Sequence, residues 1–260
     1  MNRDNKTIEQ APNYANHMLF YKIYKWYAFL QNHPSLIAAL VIAGTFILYL
    51  GTLIPEVGWG DSAELALSAY KLGVTHPPGY PLHTMLGKLV SLFFAEPAIA
   101  TNLLSALCTS LAAGVMSLLI YELTAVPIAA FLIPILFSVL PNIWEMAVVT
   151  EVYNVNIFFL GCSIYLFLRA EQNQFTKFFI PSAILFGLSL GTYPANLLLL
   201  PAFLWVLINK STRDSIVVRL FWFCFIAGFF WLTFLSYSVL HLHIHLTLGN
   251  IITYAKGAKP

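Results

Sequence analysis

Charge is what this 260-residue chain has least of: Asp, Glu, Lys and Arg make up 9% of it, against 59% hydrophobic residues. With a mean hydropathy of +0.78, there is too little polar surface to solvate a globule, which excludes an ordinary soluble domain. The formal net charge is only +2, so no basic face suggests a nucleic acid partner. Cysteine is scarce as well. Cys108, Cys162 and Cys224 lie in separate apolar runs without short spacing, which excludes a disulfide framework and a thiolate metal site. There is no internal repeat and no low-complexity tract. A cleaved signal peptide is not expected either, because the first long apolar run begins only after Pro34 and follows a long aromatic segment.

What the chain does have is a succession of apolar runs, several of a length that crosses a bilayer. The fold class read from them is all-α, a polytopic transmembrane helical protein of about seven or eight spans. Residues 1–34 read as a cytoplasmic or interfacial segment, in which Tyr21, Tyr24, Trp26, Lys22 and Lys25 suit a helix in the headgroup layer. Residues 35–260 read as a single transmembrane domain. Its runs are Ser35 to Ile54, Ile99 to Leu123, Val126 to Met146, Val152 to Leu168, Phe178 to Leu190, Ala195 to Ile208 and Leu220 to Leu240. An eighth run, Leu82 to Phe94, is short and carries Lys88, and is expected not to cross. With that parity, Arg169, Lys177, Lys210, Arg213 and Arg219 share the cytoplasmic side with the N-terminus. The first extracytoplasmic loop then spans about residues 55–98.

In so apolar a chain, the polar stretch Gly60-Asp61-Ser62-Ala63-Glu64, followed by Thr75-His76-Pro77-Pro78-Gly79-Tyr80-Pro81, asks for a chemical explanation. Asp61 and Glu64 are three apart, so a helix starting there carries both carboxylates on one face, at the end where the dipole favours anions. A purely local alternative is that Asp61 or Ser62 caps an ordinary helix. A second polar stretch, Thr150-Glu151-Val152-Tyr153-Asn154-Val155-Asn156, opens a span and offers a carboxylate, a phenol and two amides to a cavity, or else merely caps the helix entry. Gly187 to Asn196 reads as a small-residue packing segment closed by Tyr193-Pro194. His241, His243 and His245 read as an interfacial cluster, with metal binding as the other possibility.

Trp59 to Glu64, Leu72 to Leu82, Asn102-Leu103-Leu104-Ser105-Ala106 and Ala147 to Tyr153, in this order, resemble the transmembrane-protein-260 family over roughly residues 36–208. The resemblance implies a GT-C-like membrane domain and an integral-membrane glycosyltransferase of the O-mannosyltransferase kind. It implies a polyprenyl-phosphate sugar donor, a protein or glycan acceptor and a site at the extracytoplasmic face among membrane lipids, with no nucleic acid involved. In that reading Asp61 is the catalytic base, and Glu64 positions the acceptor or helps hold a divalent cation. His76, Pro77, Tyr80, Lys88, Glu151 and Tyr153 line the donor site, with His76 and Lys88 facing the phosphate. Where family members often carry a histidine after the Gly-Leu-x-Leu segment, this chain has Thr192-Tyr193-Pro194, so that role is absent or passes to Tyr193. Many members continue past the point matching Pro260, and the chain is expected to be a short homologue, a fragment or half of a split enzyme. A non-catalytic scaffold subunit and a transporter remain the competing classes; convergence of Asp61, Glu64 and His76 on one pocket would discriminate against both.

Overall fold

The computed structural model describes residues 14–172, 175–210, 213–241, 249–250 and 253, and among these all regular structure is helical. The helices are α1 (Tyr14–Gln31), α2 (Pro34–Thr52), α3 (Ser62–Lys71), α4 (Pro81–Ser91), α5 (Pro97–Thr124), α6 (Pro127–Ser138), α7 (Pro141–Ala147) and α8 (Val152–Gln172). They are followed by α9 (Phe175–Leu190), a 3-10 helix (Pro194–Leu199), α10 (Leu200–Lys210) and α11 (Arg213–His241). Proline marks the starts: α2, α4, α5, α6 and α7 all open on it. The ring presets the helical φ there, and the missing N–H would have had no intrahelical partner.

Among the described residues four helices are long and apolar enough to cross a membrane, Pro34–Thr52, Pro97–Thr124, Val152–Ala170 and Val217–Phe234. The expected single span Val126 to Met146 is instead two helices, α6 and α7, bent by 73°. Pro141 explains the break, since its ring disfavours the helical conformation at the residue before it, and Leu140 is extended (φ −60°, ψ 136°). Counting the bent pair as one gives five spans; Lys177–Leu190 and Pro194–Val206 are shorter apolar helices, and the seven of the sequence reading are reached only if both also cross. The Leu82 to Phe94 run forms α4, whose 11 residues rise about 16 Å, half the hydrocarbon thickness of a bilayer. It buries one face, Leu82, His83, Thr84, Gly87 and Ser91, against α3 and α5. Gly87 permits that approach, for a Cβ there would stand 2.7 Å from the Cβ of Ala69.

Helix α5 is the axis of the domain, with α2, α3, α4, α6 and α8 packed around it. In lipid there is little hydrophobic gain from joining helices, so close packing at small residues and shared hydrogen bonds must hold them. Both are present. A Cβ on Gly114 would lie 2.4 Å from Ile42 of α2, and one on Gly187 would lie 2.5 Å from the Ala227 carbonyl of α11, which bears out the packing reading of that glycine. Ser163 and Ser182 exchange hydroxyl-to-carbonyl bonds of 2.9 and 2.8 Å between α8 and α9. Around them Phe167, Phe179, Phe186, Phe203 and Phe223 form one buried aromatic core, with neighbouring rings 4.7 to 6.5 Å apart.

Candidate active site

Two loops carry the polar motifs, and α5 ties them together. Asn102 Nδ2 donates to the Ile54 carbonyl at 2.8 Å and the Glu56 carbonyl at 3.0 Å. Its Oδ1 accepts the Thr150 hydroxyl at 2.6 Å, and that hydroxyl also pairs with Thr101 at 2.6 Å. One turn on, Ser105 Oγ accepts the Glu151 N–H at 3.1 Å. The loops also touch directly, the Ile54 N–H donating to the Val148 carbonyl at 3.3 Å. Gly58 packs so tightly on Val149 that a Cβ would come within 2.7 Å of its Cγ1. Residues 53–61 and 148–151 are thereby held side by side, which brings Glu151 toward Asp61.

Asp61 occupies the N-cap position of α3, yet its side chain makes no capping bond. The capping alternative is therefore not realised. Glu64, one turn into α3, accepts the His76 backbone N–H at 2.6 Å and faces His76 Nδ1 at 2.9 Å. A turn in which the Gly79 N–H donates to the His76 carbonyl at 2.9 Å presents the imidazole; Pro77 lies within it, and Gly79 has φ +93°, a conformation that glycine adopts without strain. An ionised carboxylate can only accept, so Nδ1 is the donor toward Glu64. The other ring nitrogen, Nε2, is then the one turned to the site, 3.8 Å from Asp61 Oδ2 and 3.4 Å from the Tyr80 hydroxyl. One ligand atom from each of Asp61, Glu64 and His76 lies within 4.8 Å of the others. Two carboxylates and an imidazole are a donor set that suits a hard or borderline divalent cation.

Three phenols and Glu151 complete the wall. Tyr80 stands edge-on to His76 with centroids 5.3 Å apart, and its phenol is pushed up to about 12, first by burial and then by Tyr153, Asp61, Tyr193 and Glu151 nearby. It is a hydrogen-bond donor throughout the working range. Burial, and then the Asp61 charge, raise the Glu151 carboxyl above the usual range, against a smaller opposing effect of the Val152 N–H. Tyr153 and Tyr193 meet edge to face at 5.6 Å. Asp61, Glu64, His76, Tyr80, Glu151 and Tyr153 thus come together, with Tyr193 beside them.

Lys88 does not join them. Its Nζ donates to the Tyr70 carbonyl at 2.6 Å and sits 5.0 Å from the Tyr70 ring. Tyr70 is nine residues past Asp61 on α3, about 13 Å along the axis, so Lys88 closes the far end of that helix instead of facing a phosphate. The amides of the second motif are also internal clamps: Asn154 donates to the Met146 carbonyl at 2.6 Å, and Asn156 accepts from Thr192 at 3.2 Å and Asn196 at 2.6 Å. Glu145 is exposed on α7. Helix α11 ends at His241, and His243 and His245 lie outside the described residues.

Sequence reasoning gave Asn102 and His83 no role. An Asn in an apolar helix between two polar loops was the available signal for the first. His83 is fully buried on α4 and neither ring nitrogen has a protein partner; burial lowers its pKa from 6.5 to about 4. Because the folded value lies below the unfolded one, the unfolded chain gains a proton as pH falls below about 6.5 while the folded chain does not. Stability is lost through that window down to about pH 4, by at most on the order of 3 kcal/mol. Replacing His83→Leu, which leaves no orphaned nitrogen, is expected to keep or raise the melting temperature at pH 7 and to flatten its fall between pH 6.5 and 4. Melting curves in detergent at both pH values check this; an undiminished acid dependence would count against it.

The family profile described as the protein O-mannosyl-transferase TMEM260 N-terminal domain matches residues 61–216. The protein O-mannosyl-transferase TMEM260 of Mus musculus is 32% identical over 190 residues, covering 69% of this chain and 27% of that protein. The Dictyostelium discoideum protein O-mannosyl-transferase tmem260 is 30% identical over 138 residues, covering 51% of this chain and 17% of the relative. The match therefore spans about a quarter or less of the length of these relatives. No solved structure matches the chain significantly. The matched segment begins at Asp61 itself and contains His76, Asn102 and Glu151, the residues that build and hold the cluster, and on this similarity the chain belongs to the TMEM260 N-terminal domain family.

Proposed function

We propose that this chain provides the sugar-transfer site of a protein O-mannosyl-transferase, a GT-C-like integral-membrane enzyme. It takes a sugar, mannose by the relatives' name, from a polyprenyl-phosphate donor at the extracytoplasmic face and passes it to a hydroxyl of a protein or glycan acceptor. The observation that carries this reading is the convergence of Asp61, Glu64 and His76 beneath a wall of phenols, with Asp61 free of any capping bond. The basic residues on the other side of the expected topology support the extracytoplasmic placement.

Asp61 is the base: it takes the acceptor's hydroxyl proton as that oxygen attacks the anomeric carbon. The bond from that carbon to the phosphate oxygen breaks, the electron pair leaves with the lipid phosphate, and one in-line displacement inverts the centre. Glu64 acts through His76, holding Nδ1 so that Nε2 faces the reaction, the role a carboxylate plays behind a catalytic imidazole. The neutral Tyr80 hydroxyl donates to the departing phosphate, and His76, whose Nδ1 proton is held by Glu64, donates there from Nε2 in its doubly protonated form. Glu151, whose pKa is raised by burial and then by the Asp61 charge, forms part of the same wall. A divalent cation held by Asp61, Glu64 and His76 would neutralise the phosphate in place of the His76 hydrogen bond.

The test is to incubate the purified chain with polyprenyl-phosphate mannose and a Ser/Thr-containing peptide. Transfer to the peptide, or slow hydrolysis of the donor without it, is the expected result. A folded preparation inert with every polyprenyl-phosphate sugar would leave the non-catalytic subunit reading ahead.

A further inference from the structure

Two apolar grooves flank the cluster, one reached past Tyr80 and the other past Tyr153. The first, about 380 Å³, is built largely from helix ends, including Pro81 at the start of α4 and Leu190 at the end of α9, with Trp231 and Phe234 of α11. The second, about 240 Å³, follows the spans: it runs from Thr109 to Leu119 on α5 and from Tyr153 to Gly161 on α8, under the bent α6–α7 pair. Ten residues of α5 correspond to about 15 Å of helix.

Below Tyr153, the hydroxyl and amide donors along this second groove are already used. The Thr109 hydroxyl donates to the Ser105 carbonyl at 2.8 Å, the Ser138 hydroxyl to the Pro134 carbonyl at 2.7 Å and the Asn154 amide to Met146 at 2.6 Å. Small residues, Ala112, Ala113 and Gly161, make the space. A peptide or a sugar placed there would forfeit hydrogen bonds at about 1–3 kcal/mol for each orphaned group, whereas a hydrocarbon chain needs none and gains dispersion contacts with the lining. Three residues of the groove's lining are exposed, Tyr153 at 44%, Ile157 at 41% and Met146 at 37%, and of these Tyr153 also belongs to the wall around Asp61 and Glu151.

We infer that the α5–α8 groove, and not the one against α11, holds the first part of the donor's hydrocarbon tail. Tyr153 marks where the tail gives way to the phosphate, and Gly161 sets how far along α8 the tail runs. The inference rests on the polyprenyl-phosphate reading of the donor. Gly161 is a suitable probe because a Cβ there meets only Val115, at 3.5 Å, an ordinary contact, so a larger side chain grows into the groove without displacing backbone.

The experiment uses the full chain in phosphatidylcholine nanodiscs with a polyprenyl phosphate carrying a photoreactive group in its tail. Cross-links are expected on α5 and α8 peptides and should be competed by unlabelled polyprenyl phosphate. Gly161→Leu should reduce them about tenfold at an unchanged melting temperature, while Gly161→Ala leaves them near the original level. Cross-links on the Trp231 to Phe234 segment, insensitivity to Gly161→Leu, or competition by added phosphatidylcholine alone would each overturn the assignment, the last by showing an ordinary acyl chain. Groove labelling as expected without transfer from any donor would sink the transferase reading and leave the lipid site standing. Transfer with the label elsewhere would do the reverse.

Discussion

Asp61→Asn is expected to lower sugar transfer by a factor of about 10² to 10⁴ while donor binding and melting temperature stay near those of the original chain. Asn nearly matches the shape of Asp but cannot take up the acceptor proton at neutral pH. Loss of stability is not expected, because the Asp61 side chain is 63% exposed and makes no capping bond; even as a cap, Asn would serve as well. The 3.8 Å approach to His76 is too long for a hydrogen bond and is solvated, so its removal costs little. The assay is transfer from a polyprenyl-phosphate sugar beside a melting curve in the same detergent. Unchanged transfer would remove Asp61 as the base, and a parallel loss of folding would show a structural residue instead.

Asn102→Ala should be the most damaging substitution outside the cluster. It orphans the Ile54 and Glu56 carbonyls and takes from Thr150 the acceptor of its hydroxyl proton. The two carbonyls are partly buried and Thr150 keeps Thr101 as a partner, so at about 1–3 kcal/mol for each group left unpaired the loss is on the order of 2 kcal/mol, still a sizeable share of the stability of a domain. Transfer should fall with it, because this amide ties the loop before Asp61 to α5 and, together with Thr101 and Ser105, the segment before Glu151 as well. Thr150→Val, which removes only the hydroxyl side of the clamp, should cost about 1 kcal/mol. Melting curves and amide exchange over residues 53–61 read both effects. An Asn102→Ala protein as stable and as protected as the original would show that the loops are held by something else.

The members of the cluster were legible in the sequence because most of their geometry is local. Asp61 and Glu64 share a helix face through the three-residue spacing, and Gly79 and the prolines make the turn that returns His76 to Glu64. Lys88 stands apart from them for a definite reason. A lysine next to a phosphate-site motif looks like a counterion, but α4 rotates it toward the C-terminal end of α3, where a free carbonyl and the Tyr70 ring receive it. His83, only two residues past the motif, shows how a polar side chain can be directed inward by helix register alone.

Composition and pattern by themselves determined the membrane class, the all-helical fold, the apolar runs that open beside Pro34, Pro81, Pro97 and Pro127, and the polar residues worth watching. These follow from hydropathy, proline geometry and helical periodicity, which act within one or two turns of chain. The tertiary structure alone decided that Glu151 would stand beside Asp61, that the amides of Asn154 and Asn156 would turn inward as clamps, that the run from Val126 to Met146 would bend into two helices over a groove, and that Lys88 would face away. Each depends on which faces of α5, α8 and their neighbours meet. Inside a bilayer that choice rests on close packing at Gly114, Gly187 and Ala227 and on a few buried hydrogen bonds such as those of Asn102, contacts between residues dozens of positions apart that no local pattern encodes.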